Sequence, residues 1–240
     1  MSNYLILGSQ GQISGNFIKN FIDVSNDKLI LVDRVLPINT KEISDNVINF
    51  TFDITKKENY NGILKFLIEH DIKIDKILFS VGKNPMNNFF SSNINDFEST
   101  LSTNLTSLYI SLKELYDFFD DKTSIVVISS QNGIVGHEDR IEYGPSKAAL
   151  IHLVKNLSVD FSLYSNKDIK INCISPGYVK TSRNISFFNS NKGKKLLNKS
   201  LYKKLTTLDE ISHMIDFLLN DYSDAIRGQN ISMDYGYTII

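Results

Sequence analysis

At 240 residues, with 42% hydrophobic and 22% charged side chains, the chain has the size and balance of a globular protein with one full core. A net charge of −1 excludes the broad basic field that nucleic acid requires, and no apolar run approaches the ~20 residues that span a bilayer. The start lacks a basic-then-apolar leader, so a cytoplasmic protein is expected; lone Cys173 excludes an internal disulfide, and the four histidines lack ligand spacing, so no metal is expected.

Tyr4–Leu7 reads as a short buried strand. It runs into Gly8-Ser9-Gln10-Gly11-Gln12-Ile13-Ser14-Gly15, followed by a helical stretch over Asn16–Ile22. Strand, glycine turn and helix start make an anion cradle, because free backbone N–H groups and the helix dipole meet there. A plain strand–helix turn would use the same residues, so the motif alone is weak. Lys28–Asp33 is a second strand ending in a carboxylate. Asp33 lies 25 residues after Gly8, close to the spacing at which an acidic side chain meets an adenosine ribose. It would repel a 2′-phosphate and so favours NAD(H). Arg34 follows directly and would offset part of that repulsion, which keeps NADP(H) open. A solvated Asp–Arg turn is the other reading.

Val47–Phe52 is a third strand, and Asp53 is placed to cap a helix over Lys56–Glu69. Asp75–Gly82 reads as a fourth strand ending in glycine. Phe97, Leu101, Leu105, Leu108 and Leu112 recur at helical spacing and predict a long helix over Asn95–Phe119. Asn104 sits inside it, a poor helix former whose amide either has a use or faces solvent. Ile125–Ile128 is a buried strand that delivers Ser130 at its exit.

Tyr143-Gly144-Pro145-Ser146-Lys147 comes next, and proline fits only a first turn, so the helix should begin near Glu142. One turn apart, the Tyr143 phenol and Lys147 ammonium share a face. A free phenol titrates near ~10, and ~4 kcal/mol of differential stabilisation by a fixed cation would bring it close to neutrality. Tyr143 would then act as a general acid–base, with Ser130 hydrogen-bonding the oxygen that gains or loses the proton. A surface Tyr and Lys on an amphipathic helix would give the same spacing by chance.

Ile169–Ile174 is an apolar strand in which Cys173 reads as a buried, inert thiol. Ser175–Thr181 follows it, and then a lid-like segment over 182–206. Thr207 and Glu210 have capping-box spacing ahead of a helix over Ile211–Leu219. Gln229–Gly236 closes the chain as a last strand and turn. No linker divides the sequence, so residues 1–240 are expected to form one domain. Strands alternating with helices predict an α/β protein with a doubly wound parallel sheet covered on both faces.

With these pieces in order, the chain resembles the short-chain dehydrogenase/reductase family from end to end. Ser130 and Tyr143 stand 13 residues apart, the family's usual interval. Tyr143 and Lys147 match its Y-x-x-x-K, and Asn104 matches the helix asparagine of its tetrad. Pro176-Gly177-Tyr178-Val179-Lys180-Thr181 resembles the P-G-x-V-x-T that flanks the nicotinamide. Asp53-Ile54 resembles the adenine-pocket Asp–Val, and Asp234-Tyr235-Gly236 a variant of its D-G-G.

The resemblance implies a Rossmann fold with a mostly or wholly parallel seven-stranded sheet. It also implies hydride transfer between nicotinamide and a carbonyl or alcohol carbon. Tyr143 would exchange the proton, Lys147 would lower its pKa and bind the nicotinamide ribose, Ser130 would orient the substrate oxygen, and Asn104 would anchor a water. The implied cofactor contacts are Gly8, Gln10, Gly11, Gln12, Ile13, Asp33, Arg34, Asp53, Ile54, Val81, Gly82, Tyr143, Lys147, Pro176, Gly177, Val179 and Thr181. Gln12 and Ser14 stand where the family's loop has glycines, Ser80-Val81-Gly82 replaces its N-A-G, and Tyr235 replaces a glycine. Family members are commonly dimers or tetramers, so a homo-oligomer is expected, joined through the Asn104 and Tyr143 helices and the last strand.

The substrate should lie between segments 83–96, 131–142 and 182–205. His137-Glu138-Asp139-Arg140 makes the middle one polar, which suits a small hydrophilic substrate such as a sugar or a hydroxy or keto acid. The same four side chains could simply face water. Lys192, Lys194, Lys195, Lys199, Lys203 and Lys204 could receive an anion or form a solvated face. A non-catalytic protein that binds or senses a dinucleotide on the same fold is the second functional reading. The intact Asn–Ser–Tyr–Lys set favours the enzyme, and the altered glycine loop favours the rival.

Overall fold

A computed structural model of the chain describes residues 1–35 and 46–239. Among these, the strands are β1 Asn3–Leu7, β2 Lys28–Asp33, β3 Val47–Thr51, β4 Ile74–Phe79, β5 Phe119–Ile128, β6 Asp168–Pro176 and β7 Asn230–Met233. They form one sheet in the order β3-β2-β1-β4-β5-β6-β7, and every neighbouring pair is parallel. Parallel pairing needs crossovers, and the helices that supply them cover both faces.

That is why the central strands are apolar throughout rather than alternating. Leu5, Leu7, Ile30, Val32, Ile77, Phe79, Val127 and Ile171 point to one layer, with α2 Asn61–Glu69, α4 Ser107–Leu115 and α5 Tyr143–Tyr164. Tyr4, Ile6, Leu29, Leu31, Leu78, Val126 and Ile174 point to the other, with α1 Gln12–Phe21 and α8 Leu208–Leu219. From β1 the chain winds outward to β2 and β3, then returns across β1 to β4. The order therefore reverses between β1 and β4, and a doubly wound sheet opens a crevice at the carboxyl ends of such strands. No described helix is long and apolar enough to cross a membrane.

Several boundaries differ from the sequence reading. Helix α1 begins at Gln12, four residues before Asn16, because fully buried Ser14 packs in its first turn. Asp53 does not cap the following helix. Its Oδ1 accepts from the Thr55 N–H (2.9 Å) and hydroxyl (2.7 Å), and the chain enters α2 through a 3₁₀ turn over Lys57–Tyr60. Phe119 opens β5 instead of ending a helix, since a buried phenylalanine serves either role. Strand β4 stops at Phe79 and frees Ser80–Gly82 as a loop.

The predicted long helix is continuous from α3 (Ile94–Leu101) into α4. A π-helical turn over Ser102–Thr106 interrupts its regular ladder at Asn104. Such turns displace one residue from helical register.

Candidate active site

The site is assembled where β5 meets α5. Ser129 Oγ donates to the Lys147 carbonyl at 3.0 Å, and the Ser130 hydroxyl accepts from the Asn132 N–H at 3.2 Å. The turn over Gln131–Gly133 presses directly on α5: a Cβ on Gly133 would stand 2.7 Å from the Lys147 carbonyl carbon. Only glycine permits that approach, and it brings Ser130 up to Tyr143. Helix α5 begins at Tyr143 with Glu142 as its N-cap residue and Pro145 in the first turn, as the sequence predicts.

Tyr143, Lys147 and Ser130 line one cavity of about 220 Å³ together with Ile13, Val81, Gly82, Pro176, Gly177 and Val179. Lys147 is 3% exposed, and its ammonium donates to the Ile128 carbonyl at 2.8 Å and lies 5.8 Å from the Tyr143 ring centroid. Burial pulls its pKa down to about 8. Burial pushes the Tyr143 phenol above its ordinary value, while a hydrogen bond with Ser130 and the charge of Arg140 pull it back. The fall toward neutrality expected under Lys147 is therefore not met: the phenol is displaced upward, because burial outweighs the other influences, and Arg140 rather than Lys147 is the cation that pulls against it. Cys173 is fully buried, and burial pushes its thiol up to about 12, so it is inert as expected.

Asn104 is fully buried in the π-helical turn. Its Oδ1 accepts from the Lys83 N–H at 2.6 Å, and its Nδ2 donates to the Lys83 carbonyl at 2.9 Å and to Ser146 Oγ at 2.8 Å. The amide therefore has a use: it splints the loop after β4 to the residue preceding Lys147.

A second cavity, about 660 Å³, lies over the β1–β4 reversal and is lined by Gly8, Gly11, Asp33, Arg34, Asp53, Ile54, Val81 and Gly82. Asp33 accepts from the Gln10 N–H at 3.0 Å, which fixes the carboxylate beside the glycine turn. Burial pushes Asp53 up, but the two Thr55 bonds, Lys56 and Arg34 outweigh it and hold the carboxyl low.

These residues fit a dinucleotide. The first turn of α1 carries no side-chain cap and no acidic residue, so its N–H groups are available to a phosphate. Gly8 sits at φ +83°, and a Cβ there would stand 3.0 Å from the Ser80 carbonyl group. Gly8→Ala is expected to cost about 1–3 kcal/mol of stability and weaken dinucleotide binding together. Thermal melts with and without NADH check this, and an unshifted melt would refute it.

Gln10, Gln12 and Thr181 line neither cavity. Gln12 Nε2 instead reaches Ser182 Oγ at 3.4 Å, and the Thr181 N–H donates to Asn184 Oδ1 at 2.9 Å. Gln12 thereby joins the first turn of α1 to segment 182–206, which holds the short helices α6 Ile185–Asn189 and α7 Asn191–Leu197, and Thr181 fixes the start of that segment. Tyr235, in the family's glycine position, keeps a left-handed φ of +51°, and its hydroxyl donates to Glu210 Oε1.

A third cavity of about 150 Å³ joins the three expected substrate segments through Asn84, Gln131, Asn132, Arg140, Asn184 and Phe188, next to Ser130 and Tyr143. Of the polar run at 137–140, Arg140 alone lines this cavity. His137 Nε2 bonds the Tyr178 hydroxyl at 2.7 Å, and Glu138 pairs with Lys199 at 3.4 Å. The six lysines of 192–204 are exposed, as a solvated face would be. Asn84, Gln131 and the backbone of Lys83 are site residues that the sequence did not single out, because none carries a recognisable spacing.

The three cavities form a series. The first two named share Ser80, Val81, Gly82 and Asn84, and the Tyr143 cavity shares Asn84, Ser130, Tyr143, Gly177 and Val179 with the smallest.

Comparison with known proteins agrees with this layout. A short-chain dehydrogenase family model, described as enoyl-(acyl carrier protein) reductase, matches residues 23–238. The 3-oxoacyl-[acyl-carrier-protein] reductase FabG of Buchnera aphidicola (subsp. Schizaphis graminum) is 29% identical over 209 residues, covering 85% of this chain and 83% of that protein. A short-chain dehydrogenase family protein from Francisella tularensis superposes with a TM-score of 0.86 at 24% identity, covering both chains fully. ElxO with NADP bound gives a TM-score of 0.84 at 25% identity over 100% of this chain and 99% of that one. The match of the family model over nearly the whole length, together with a seven-stranded parallel Rossmann sheet, places this chain in the short-chain dehydrogenase/reductase family of oxidoreductases.

Proposed function

We propose that the protein is an NAD(P)(H)-dependent oxidoreductase acting on the carbonyl or alcohol carbon of a small polar substrate, with Tyr143 as its general acid–base. The observation that carries this reading is the series of cavities. A dinucleotide seat over the β1–β4 reversal leads to a chamber walled by Tyr143, Lys147 and Ser130, which leads to a small polar chamber. A bound nicotinamide supplies or accepts the hydride. The chain's own groups handle the proton and the oxygen. In reduction, Tyr143 gives its hydroxyl proton to the carbonyl oxygen as that oxygen gains charge, and Ser130 donates a second hydrogen bond to it. A phenol whose pKa burial holds high keeps its proton until the oxygen demands it. In oxidation the phenolate must be stabilised, and the Lys147 ammonium and Arg140 guanidinium are the nearby cations.

The altered glycine loop favours a mere binding protein less than its sequence suggests. Gln12 is turned to Ser182 and leaves the helix start open. Asp33 supports NAD(H), and Arg34 in the same cavity leaves NADP(H) accessible. Asp33→Ala is expected to weaken NADH about tenfold or more and to move the NADPH/NADH preference toward NADPH by about ten- to hundredfold. Fluorescence titration with each dinucleotide reads the shift, and an unchanged ratio would remove Asp33 from cofactor choice. Assembly as a homodimer or homotetramer is part of the same reading, supported by exposed Tyr109 on α4 and Val159 and Leu163 on α5.

The reading is tested by NADH binding followed by turnover on ketones, sugars and acids. Saturable NADH binding with Tyr143-dependent turnover is the expected result. Failure to bind either dinucleotide would overturn it.

A further inference from the structure

The small chamber beside Tyr143 holds a cation with no counter-charge. Arg140 Nη1 donates to the Asp139 carbonyl at 2.6 Å, but its Nε is buried without a partner. Among the described residues no carboxylate pairs with the guanidinium. The neighbouring acids hold other partners: Glu138 pairs with Lys199, Asp139 Oδ1 accepts from Asn88 Nδ2 at 3.4 Å, and buried Glu142 accepts from Asn87 and Ser92 through Oε1, with its Oε2 unpartnered and making no ion pair with Arg140. A guanidinium edge removed from water and left unpaired is costly, and its fork geometry matches a carboxylate or a phosphate, of which the planar carboxylate is the smaller.

Two acceptors complete the chamber. Gln131 is 2% exposed and its Oε1 has no partner, and the buried Oδ1 of Asn132 is likewise unpaired. Each calls for a donor on the ligand, which a hydroxyl supplies and a hydrocarbon chain does not. The volume of about 150 Å³ limits the ligand to a few heavy atoms. The charge of Arg140 also reaches the Tyr143 phenol, so a group held on Arg140 lies beside the proton donor.

We propose that the substrate is a short hydroxy or keto acid whose carboxylate sits on the Nε edge of Arg140 while its reacting oxygen meets Tyr143 and Ser130. This rests on the oxidoreductase reading above and narrows it to one substrate class. Arg140 is a binding and positioning residue in this scheme.

The test uses the full chain with NADH and substrate pairs that differ only at the carboxylate, such as 3-oxobutanoate against 3-oxobutanamide and 2-oxobutanoate against its amide. The acids are expected to show kcat/KM about ten- to hundredfold above the amides. Arg140→Met should close that gap chiefly through KM, and Arg140→Lys should restore part of it. Propionate, which cannot react, should raise the melting temperature of the NADH-loaded protein and should not raise that of NADH-loaded Arg140→Met. Equal rates on acids and amides, a gap that survives Arg140→Met, or a preference for phosphate esters or thioesters would overturn the carboxylate proposal and leave the oxidoreductase reading standing. Absence of dinucleotide binding and of all turnover would overturn the oxidoreductase reading instead, and the propionate shift, read then on the cofactor-free protein against cofactor-free Arg140→Met, would still decide the carboxylate seat.

Discussion

Tyr143→Phe is expected to lower kcat about 10³-fold while leaving the NADH dissociation constant within a few-fold of the parent. The substitution removes one oxygen and nothing else. Its ring still fills the wall between α5 and Ser130, so the fold and the dinucleotide seat over the β1–β4 reversal remain. What disappears is the proton donor beside Ser130, and no other hydroxyl in the chamber has a helix holding it one turn from an ammonium. Stopped-flow or steady-state assays with NADH fluorescence as the binding control decide the point. Turnover reduced less than tenfold would show that the proton comes from elsewhere.

Lys147→Met should separate stability from activity. The drop of the lysine pKa from 10.5 to about 8 corresponds to about 3 kcal/mol of destabilisation of the buried ammonium. Methionine removes that cost but strips the Ile128 carbonyl of its donor, a loss of about 1–2 kcal/mol. The cofactor-free variant is therefore expected to be more stable than the parent at pH 7 by about 1–2 kcal/mol, with turnover lowered by about 10² or more.

The pH dependence carries a definite sign. Below about pH 8 both folded and unfolded lysine hold the proton, and the folded state bears the full cost. Between about 8 and 10.5 the unfolded chain holds more protons than the folded one, so the parent gains stability as pH rises. The advantage of Lys147→Met must then shrink across that window. Comparing the two proteins by urea melts at pH 7 to 10 cancels other groups that titrate there, including Cys173. A variant less stable at pH 7, or a gap constant with pH, would refute the account.

What the sequence disclosed follows the range of the forces involved. The strand–turn–helix after Gly8 and the Tyr143–Lys147 pair are local, set by spacing along one element; the pair stands where spacing puts it, and the turn is present with its helix starting four residues early, at Gln12. The outer form of the sheet follows from alternating strands and helices. Other features depend on partners distant in the chain. The π-helical turn at Asn104 depends on an amide that meets Lys83, 21 residues earlier, and Ser146, 42 residues later, and no local propensity encodes such a meeting. Arg140 lines the small chamber from a loop whose Asp139 adopts φ +54°, so a polar run that looked uniform divides, with His137 bonded to the Tyr178 hydroxyl and Glu138 paired with Lys199. Asp53 chose its own turn over the helix behind it because Thr55 offered two donors at once.

Asn84 borders all three chambers. It acts as a party wall: a tenant on either side presses on the same amide. By thermodynamic reciprocity, whatever free energy the dinucleotide gains or loses through that contact, the second ligand gains or loses equally. Affinities measured for each alone will therefore not add to the affinity for both, and the shortfall or surplus should be reset by altering this one side chain.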